Sequence, residues 1–211
     1  MCTKETRSKK ITLTLYHGSD KTKTIEDIKF PGPRFNCDFG PGFYLAERKE
    51  TAEEWVRGSD EPVVNIYTLT FDTKESIELK GRDWIKVIVG FRESAYKVKF
   101  TKNIIIGDIA NDKMFSVMPL FMQGIIGDRR LIKCLDYCKL GKQYLFREHA
   151  AGLTFIESYI MNDSQRKDAI ERYNDRRKRM NRDLIILQRE PMQGEKFIEH
   201  YLEGGVGGAA F

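Results

Sequence analysis

Two short stretches carry side chains suited to a flat, charged ligand: "LYHGS" at residues 15–19 and "FGPGFYLA" at residues 39–46. Each puts a polar ring, His17 or Tyr44, at the end of an apolar run and beside glycine. Glycine has no Cβ, so a planar molecule can approach the backbone there more closely than elsewhere. An aromatic face attracts a flat cation, and an imidazole can donate or accept a hydrogen bond. Taken singly, each feature has a plainer explanation: His17 as a structural histidine, Tyr44 as an ordinary strand residue, and Gly40, Pro41 and Gly42 as a tight turn. Taken together they point to a ligand site.

Other chemistries are poorly provided for. Cys2, Cys37, Cys134 and Cys138 are too few and too irregular for a disulfide framework. Cys134 and Cys138, four apart, would share a helix face, but no histidine or second cysteine pair sits nearby to complete a zinc set, and we expect no metal. The net charge of +5 belongs to one segment: residues 165–182, "QRKDAIERYNDRRKRMNR", hold eight Lys/Arg and three Asp/Glu, and the rest of the chain sums to zero. Such a run can neutralise nucleic-acid phosphates or dock an acidic partner; a solvated helix face is the commoner explanation. Only Tyr173 interleaves it, so bases would find no stacking platform.

These residues must be held by a scaffold, and 211 residues, 41% apolar and 11% aromatic, suffice for one domain with a real core and small appendages. No apolar run approaches the roughly 18–20 residues that span a bilayer, and the N-terminus lacks an apolar signal core, so we expect a cytoplasmic protein with no membrane contact. Alternation predicts a strand over 11–19, a brief buried strand at "FYLA", the clearest strand over 63–72, and further strands within 103–112 and 142–148. Helical spacing is read in "ERKETAEEWVRG", with Ala52, Trp55 and Val56 on one face. It recurs in "GRDWIKVIVGFRES", from Asp128 to Leu140, in "HAAGLTFIESYIM" (149–161), and in a long, mostly exposed helix over 164–190. The glycine-rich end, 203–211, is expected to be a flexible tail, and residues 163–202 a basic helical extension of a first unit spanning 11–162. Strands and helices mix without a strict βαβα rhythm, which means α+β.

The pair His-Gly-Ser, then Gly-x-Gly-Phe-Tyr-Leu-Ala about two dozen residues on and leading into a helix, resembles the first two motifs of the ADP-ribosyltransferase superfamily. The resemblance is to the His-Tyr-Glu branch, which includes diphtheria toxin and the poly(ADP-ribose) polymerases. "NIIIGDIANDKMF" with "KQYLF" is similar to an uncharacterised bacterial family of that superfamily whose third motif begins with Gln rather than Glu. The resemblance covers roughly residues 13–160. It implies a fold of two packed, mainly antiparallel sheets with flanking helices, NAD as substrate, and a toxin-like bacterial transferase. His17 would hold the adenosine ribose and the Gly18 backbone the nicotinamide carboxamide, with Ser19 assisting. Gly42 and Phe43 would shape the pocket, Tyr44 would stack on the nicotinamide ring, and Gln143 would face the nicotinamide ribose at the third-motif position.

Breaking the bond to nicotinamide leaves an oxocarbenium-like sugar and a neutral leaving group, so such a site needs no general acid, metal or cysteine nucleophile for its first step. An amide at position 143 can accept a hydrogen bond from the ribose but cannot deprotonate an acceptor, which argues against chain elongation. Glu148, of opposite strand parity, is a weaker substitute, and Arg147 and His149 beside it are read equally as phosphate contacts or as surface residues. The expected function is mono-ADP-ribosyl transfer to a protein acceptor. Transfer to nucleic acid guided by residues 165–182, and a catalytically weak NAD-binding or interaction module, are the alternatives.

Overall fold

The alternation in "KITLTLYHGS" is realised as strand β1, Lys10–Ser19, whose ten residues pair antiparallel with β3, Val63–Asp72, from Lys10 opposite Asp72 to Ser19 opposite Val63. The computed structural model describes residues 8–32, 37–92, 97–110, 117–138, 140–187, 193–203 and 209–211. Within them, β2 (Phe43–Ala46) leads into helix α1 (Lys49–Val56), and β4 (Ser76–Glu78) into α2 (Gly81–Arg92). Next come β5 (Val98–Lys99), β6 (Ile104–Asp108), α3 (Val117–Met122), α4 (Asp128–Cys138), β7 (Lys142–Phe146) and β8 (Leu153–Ile160). The long helix α5 (Asp163–Leu187), α6 (Ile198–Glu203) and β9 (Ala209–Ala210) are the last of the described elements.

The architecture is α+β. Seven strands form one mixed sheet in the order β4-β6-β7-β2-β1-β3-β8, antiparallel except for the parallel pair β4-β6. The expected pair of packed sheets is not shown among the described residues, where these seven strands are hydrogen-bonded into one sheet and β5 and β9 form a separate pair. The seven-stranded sheet is pinched, however, because β1 meets β2 through one residue pair only, Tyr16 opposite Ala46. Strand alternation divides the core between the two faces. Ile105 and Leu145 pack with Trp84, Ile85 and Ile88 of α2 and with Leu131 of α4 on one face. Ile104, Ile106, Tyr144, Phe146, Phe43 and Leu45 pack with Leu15, Tyr67 and Leu69 on the other. Each such fully buried side chain contributes on the order of 1.5–3 kcal/mol. No helix among the described residues is long and apolar enough to cross a membrane.

Four expectations change. Residues 149–161 hold no helix: β8 pairs antiparallel with β3, and Gly152 turns the chain into it at φ +76°, where a Cβ would lie 2.1 Å from the Thr70 carbonyl oxygen. Trp55 does not share the buried face of Ala52 and Val56; it is 53% exposed, and Glu53 and Glu54 are buried instead. Residues 163–202 are no mere extension, since Ala169 packs with Ala52, Val56 and Met161, while Ile198 and Tyr201 enter the large core beneath α2. The end of the expected tail is ordered too: β9 pairs parallel with β5, and Phe211 packs on Phe100. Residues 188–190 and 204–208, parts of the expected long helix and of the tail, lie outside the described residues.

Candidate active site

His17 sits near the end of β1, at the pinch in the sheet. Its Nδ1 lies 2.8 Å from the backbone carbonyl oxygen of Tyr44, and this hydrogen bond ties the two sequence motifs together. A carbonyl oxygen can only accept, which makes Nδ1 the donor. The imidazole also packs on Phe43, with ring centroids 4.7 Å apart at 41°. Behind it, fully buried Asn65 clamps the chain leaving β1. Its Nδ2 donates to the Ser19 Oγ at 2.9 Å, the His17 carbonyl at 3.2 Å and the Lys21 carbonyl at 3.3 Å, while its Oδ1 accepts from the Lys23 N–H at 2.8 Å. Ser19 is thereby tied into a turn, its hydroxyl donating to the Lys21 carbonyl.

The glycines serve the protein itself before any ligand. A Cβ on Gly18 would stand 2.4 Å from the Ala52 carbonyl oxygen and 2.8 Å from Val56 Cγ1, so the missing side chain admits α1. Gly40 takes φ +83°, and a Cβ there would meet the Phe91 ring at 2.3 Å. A Cβ on Gly42 would meet the Phe146 carbonyl oxygen at 2.3 Å. The turn 37–42 is thus pressed between α2 and β7, which is why two of its residues have no side chain.

Tyr44 faces the α2 side of the sheet, opposite to Phe43, because neighbours on a strand alternate. Its ring is only partly exposed. The hydroxyl donates to the Gly40 carbonyl at 2.6 Å and accepts from the Phe39 N–H at 3.1 Å, so the phenol staples the turn that precedes it. Burial, with the nearby Asp38 carboxylate second, pushes its pKa far above the ordinary range and keeps it a neutral donor.

Gln143 lies on β7 opposite Ala46 of β2 and Gly107 of β6, and is 5% exposed. Its Nε2 donates to Asp38 Oδ2 at 2.6 Å and to the Asp108 carbonyl at 3.2 Å. Asp38 also accepts from the Ala110 N–H at 3.1 Å and pairs through Oδ1 with the Arg92 guanidinium. Asp38, Arg92 and Asn65 were not singled out in the sequence. Their only signal there is a polar residue in an apolar setting, as with Arg92 after "WIKVIVGF".

The structure thus brings His17 to Phe43 and to the Tyr44 backbone, and Gln143 to the turn that Tyr44 holds. Gly18 and Gly42 pack against protein, and Ser19 is turned into its own loop. Arg147 belongs elsewhere: its Nη1 donates to the Phe100 and Lys102 carbonyls at the far end of β7. Glu148 and His149 are exposed beside the Asn103 side chain, which accepts from both backbone N–H groups. A cleft of about 470 Å³ lies against the outer side of the same turn, lined by Phe30, Phe39, Pro41, Phe91, Phe100 and Arg147 among others, but by none of His17, Tyr44 and Gln143.

Neither a curated protein nor a solved structure matches the chain. One family model does, described as "Protein of unknown function (DUF3990)" and matched over residues 13–157, from early β1 to within β8. That span covers most of the chain and both motif strands, and the chain therefore belongs to the DUF3990 family.

Proposed function

We propose that the protein is an NAD-dependent mono-ADP-ribosyltransferase that moves ADP-ribose from NAD to a protein acceptor and releases nicotinamide. The observation that carries this reading is the 2.8 Å contact between His17 Nδ1 and the Tyr44 carbonyl, which joins the two motifs resembling that superfamily across the pinch in the sheet. With Nδ1 donating to β2, a neutral imidazole would offer Nε2 as an acceptor to a ribose hydroxyl. The partly exposed Tyr44 ring would flank the nicotinamide, while its hydroxyl keeps the turn in place.

The reaction asks little acid chemistry of these residues. As the C1′–N bond of NAD breaks, its electron pair neutralises the pyridinium, and nicotinamide leaves uncharged. The acceptor's lone pair then bonds to C1′, and the acceptor's proton passes to water. The protein's contribution is orientation of the ribose and stabilisation of the cation by fixed dipoles. The weaker alternative, an NAD-binding module with little turnover, draws support from the burial of Gln143. Action on nucleic acid loses support, because Arg172 and Arg176 pair with Glu53 and Glu54 of α1.

The test is incubation of the purified protein with NAD labelled in the ADP-ribose and a lysate, scoring nicotinamide release and label on protein, on nucleic acid or on neither. Label on protein is expected. Absence of NAD binding by calorimetry would remove the transferase and the binding-module readings together.

A further inference from the structure

A glutamine at the third-motif position invites the view that a catalytic carboxylate has been lost. The hydrogen bonds of Gln143 point elsewhere. Both partners of its amide, Asp38 Oδ2 at 2.6 Å and the Asp108 carbonyl at 3.2 Å, are acceptors, so the NH₂ group must face them and Oε1 must face away. No donor among the described residues reaches Oε1. The carboxylate behind the amide is buried and fully engaged, by Gln143, by the Ala110 N–H and by Arg92, whose Nη2 also donates to the Ala110 carbonyl at 2.6 Å.

We infer that Asp38 is the positioning residue of the site: it fixes the Gln143 amide with Oε1 turned away from the buried acid and polarises it. A charge-assisted hydrogen bond to the NH₂ group draws electron density toward the amide oxygen, and the low local dielectric strengthens the effect. The third position then offers an oriented oxygen backed by a buried negative charge, which suits a developing sugar cation. This use rests on the NAD reading above; the pairing itself does not. It also accounts for the residue type, since a glutamate at 143 would bring two carboxylates within hydrogen-bond distance, where they cannot both ionise. Beside that pair stand the Arg92 guanidinium from α2, which bonds Asp38, and the Tyr44 phenol from β2, on which the charge of Asp38 and the Cys37 thiol of the same turn both act.

Four proteins test the inference: the parent, Gln143→Glu, Asp38→Asn, and the double variant in which acid and amide exchange places. Melting temperatures would be measured at about pH 5 and about pH 8. Gln143→Glu is expected to melt on the order of 5 °C or more below the parent at the higher pH, with a smaller deficit at the lower pH, where the pair shares a proton. The double variant, again holding one acid and one amide, recovers most of the loss. A Gln143→Glu protein as stable as the parent at the higher pH, or a double variant no better than the single, overturns the pairing. Nicotinamide release supplies the second readout. Asp38→Asn is expected to lower kcat roughly tenfold with little change in KM, as for an interaction made chiefly in the transition state. An unchanged kcat overturns the positioning role. A parent that releases no nicotinamide removes the NAD reading and the catalytic use of the pair, while the melting comparison still decides whether Asp38 and Gln143 act together.

Discussion

At the scale of single residues, what the sequence displayed and what the fold uses are different properties of the same side chains. His17 and Tyr44 stood out as rings beside glycine, and they do meet, but through a backbone carbonyl that no side-chain pattern announces. The hydroxyl of Tyr44 is the sharper case. Tyr44→Phe would leave the Phe39 N–H and the Gly40 carbonyl short of a partner, at a cost of about 1–3 kcal/mol in denaturant unfolding. Gly18 separates the two explanations of a motif glycine. Its absent Cβ faces the Ala52 carbonyl oxygen at 2.4 Å, an atom of helix backbone that cannot yield cheaply. Gly18→Ala is therefore expected to destabilise the fold by about 1–3 kcal/mol before any ligand is added. A glycine kept only for a ligand would show no such loss in a chemical denaturation curve. Asp38 was illegible for the complementary reason: it lies 105 residues from Gln143, and only the fold makes them neighbours.

At the scale of elements, periodicity served best where an element has one buried face. "WIKVIV" puts Trp84, Ile85 and Ile88 into the core because α2 lies flat on the sheet, and β1 and β3 alternate because a sheet face covers them. Residues 153–160 misled because β8 is an edge strand that leaves Ile156 and Ile160 exposed, so the alternation that marks a strand is broken. Helix α1 misled in another way. Trp55 points to solvent, and two glutamates take the buried positions because α5 brings arginines to them. Arg176 holds Glu54 with two bonds of 2.8 and 2.9 Å, and Arg172 reaches Glu53 at 2.6 Å. Burial raises the Glu54 pKa against the pull of Arg176 and Arg172, so the carboxylate depends on those partners to stay charged. Arg176→Ala is expected to cost about 3 kcal/mol, because it removes both hydrogen bonds of a buried carboxylate and leaves it the more distant Arg172 guanidinium, Nε at 3.8 Å. Arg177→Ala, at an exposed neighbour, should fall within about 0.5 kcal/mol. Equal effects of the two in thermal unfolding would mean that the α1-α5 ion pairs contribute nothing.

At the scale of the whole molecule, the basic segment was legible as a charge excess but not as a strut, since its partners lie more than a hundred positions away. The same holds for residues 193–203, where one buried carboxylate gathers contacts from three elements. Asp128, at the start of α4, accepts from Arg82 Nε of α2 at 2.6 Å, from the Tyr201 hydroxyl of α6 at 2.7 Å and from the Lys196 N–H at 2.9 Å. A second clasp joins Arg130 to Glu195 at 3.3 Å. Burial alone would raise the pKa of Asp128, but the hydrogen bonds from Lys196, Arg82 and Tyr201 and the Arg82 charge outweigh it and hold the carboxyl below its ordinary value of 3.8. A carboxyl whose pKa is lowered by folding stabilises the folded state fully above the ordinary carboxylate range, and loses that contribution as pH falls through the folded value. The clasp should therefore be unaffected by pH near neutrality and loosen only in acid below about pH 3.8. Hydrogen exchange is the direct measurement: amides of 193–203 should lose protection in that acid range, and Asp128→Asn should produce the same loss at neutral pH. If the substitution leaves these amides as protected as in the parent, Asp128 is not what holds the C-terminal segment to α2 and α4.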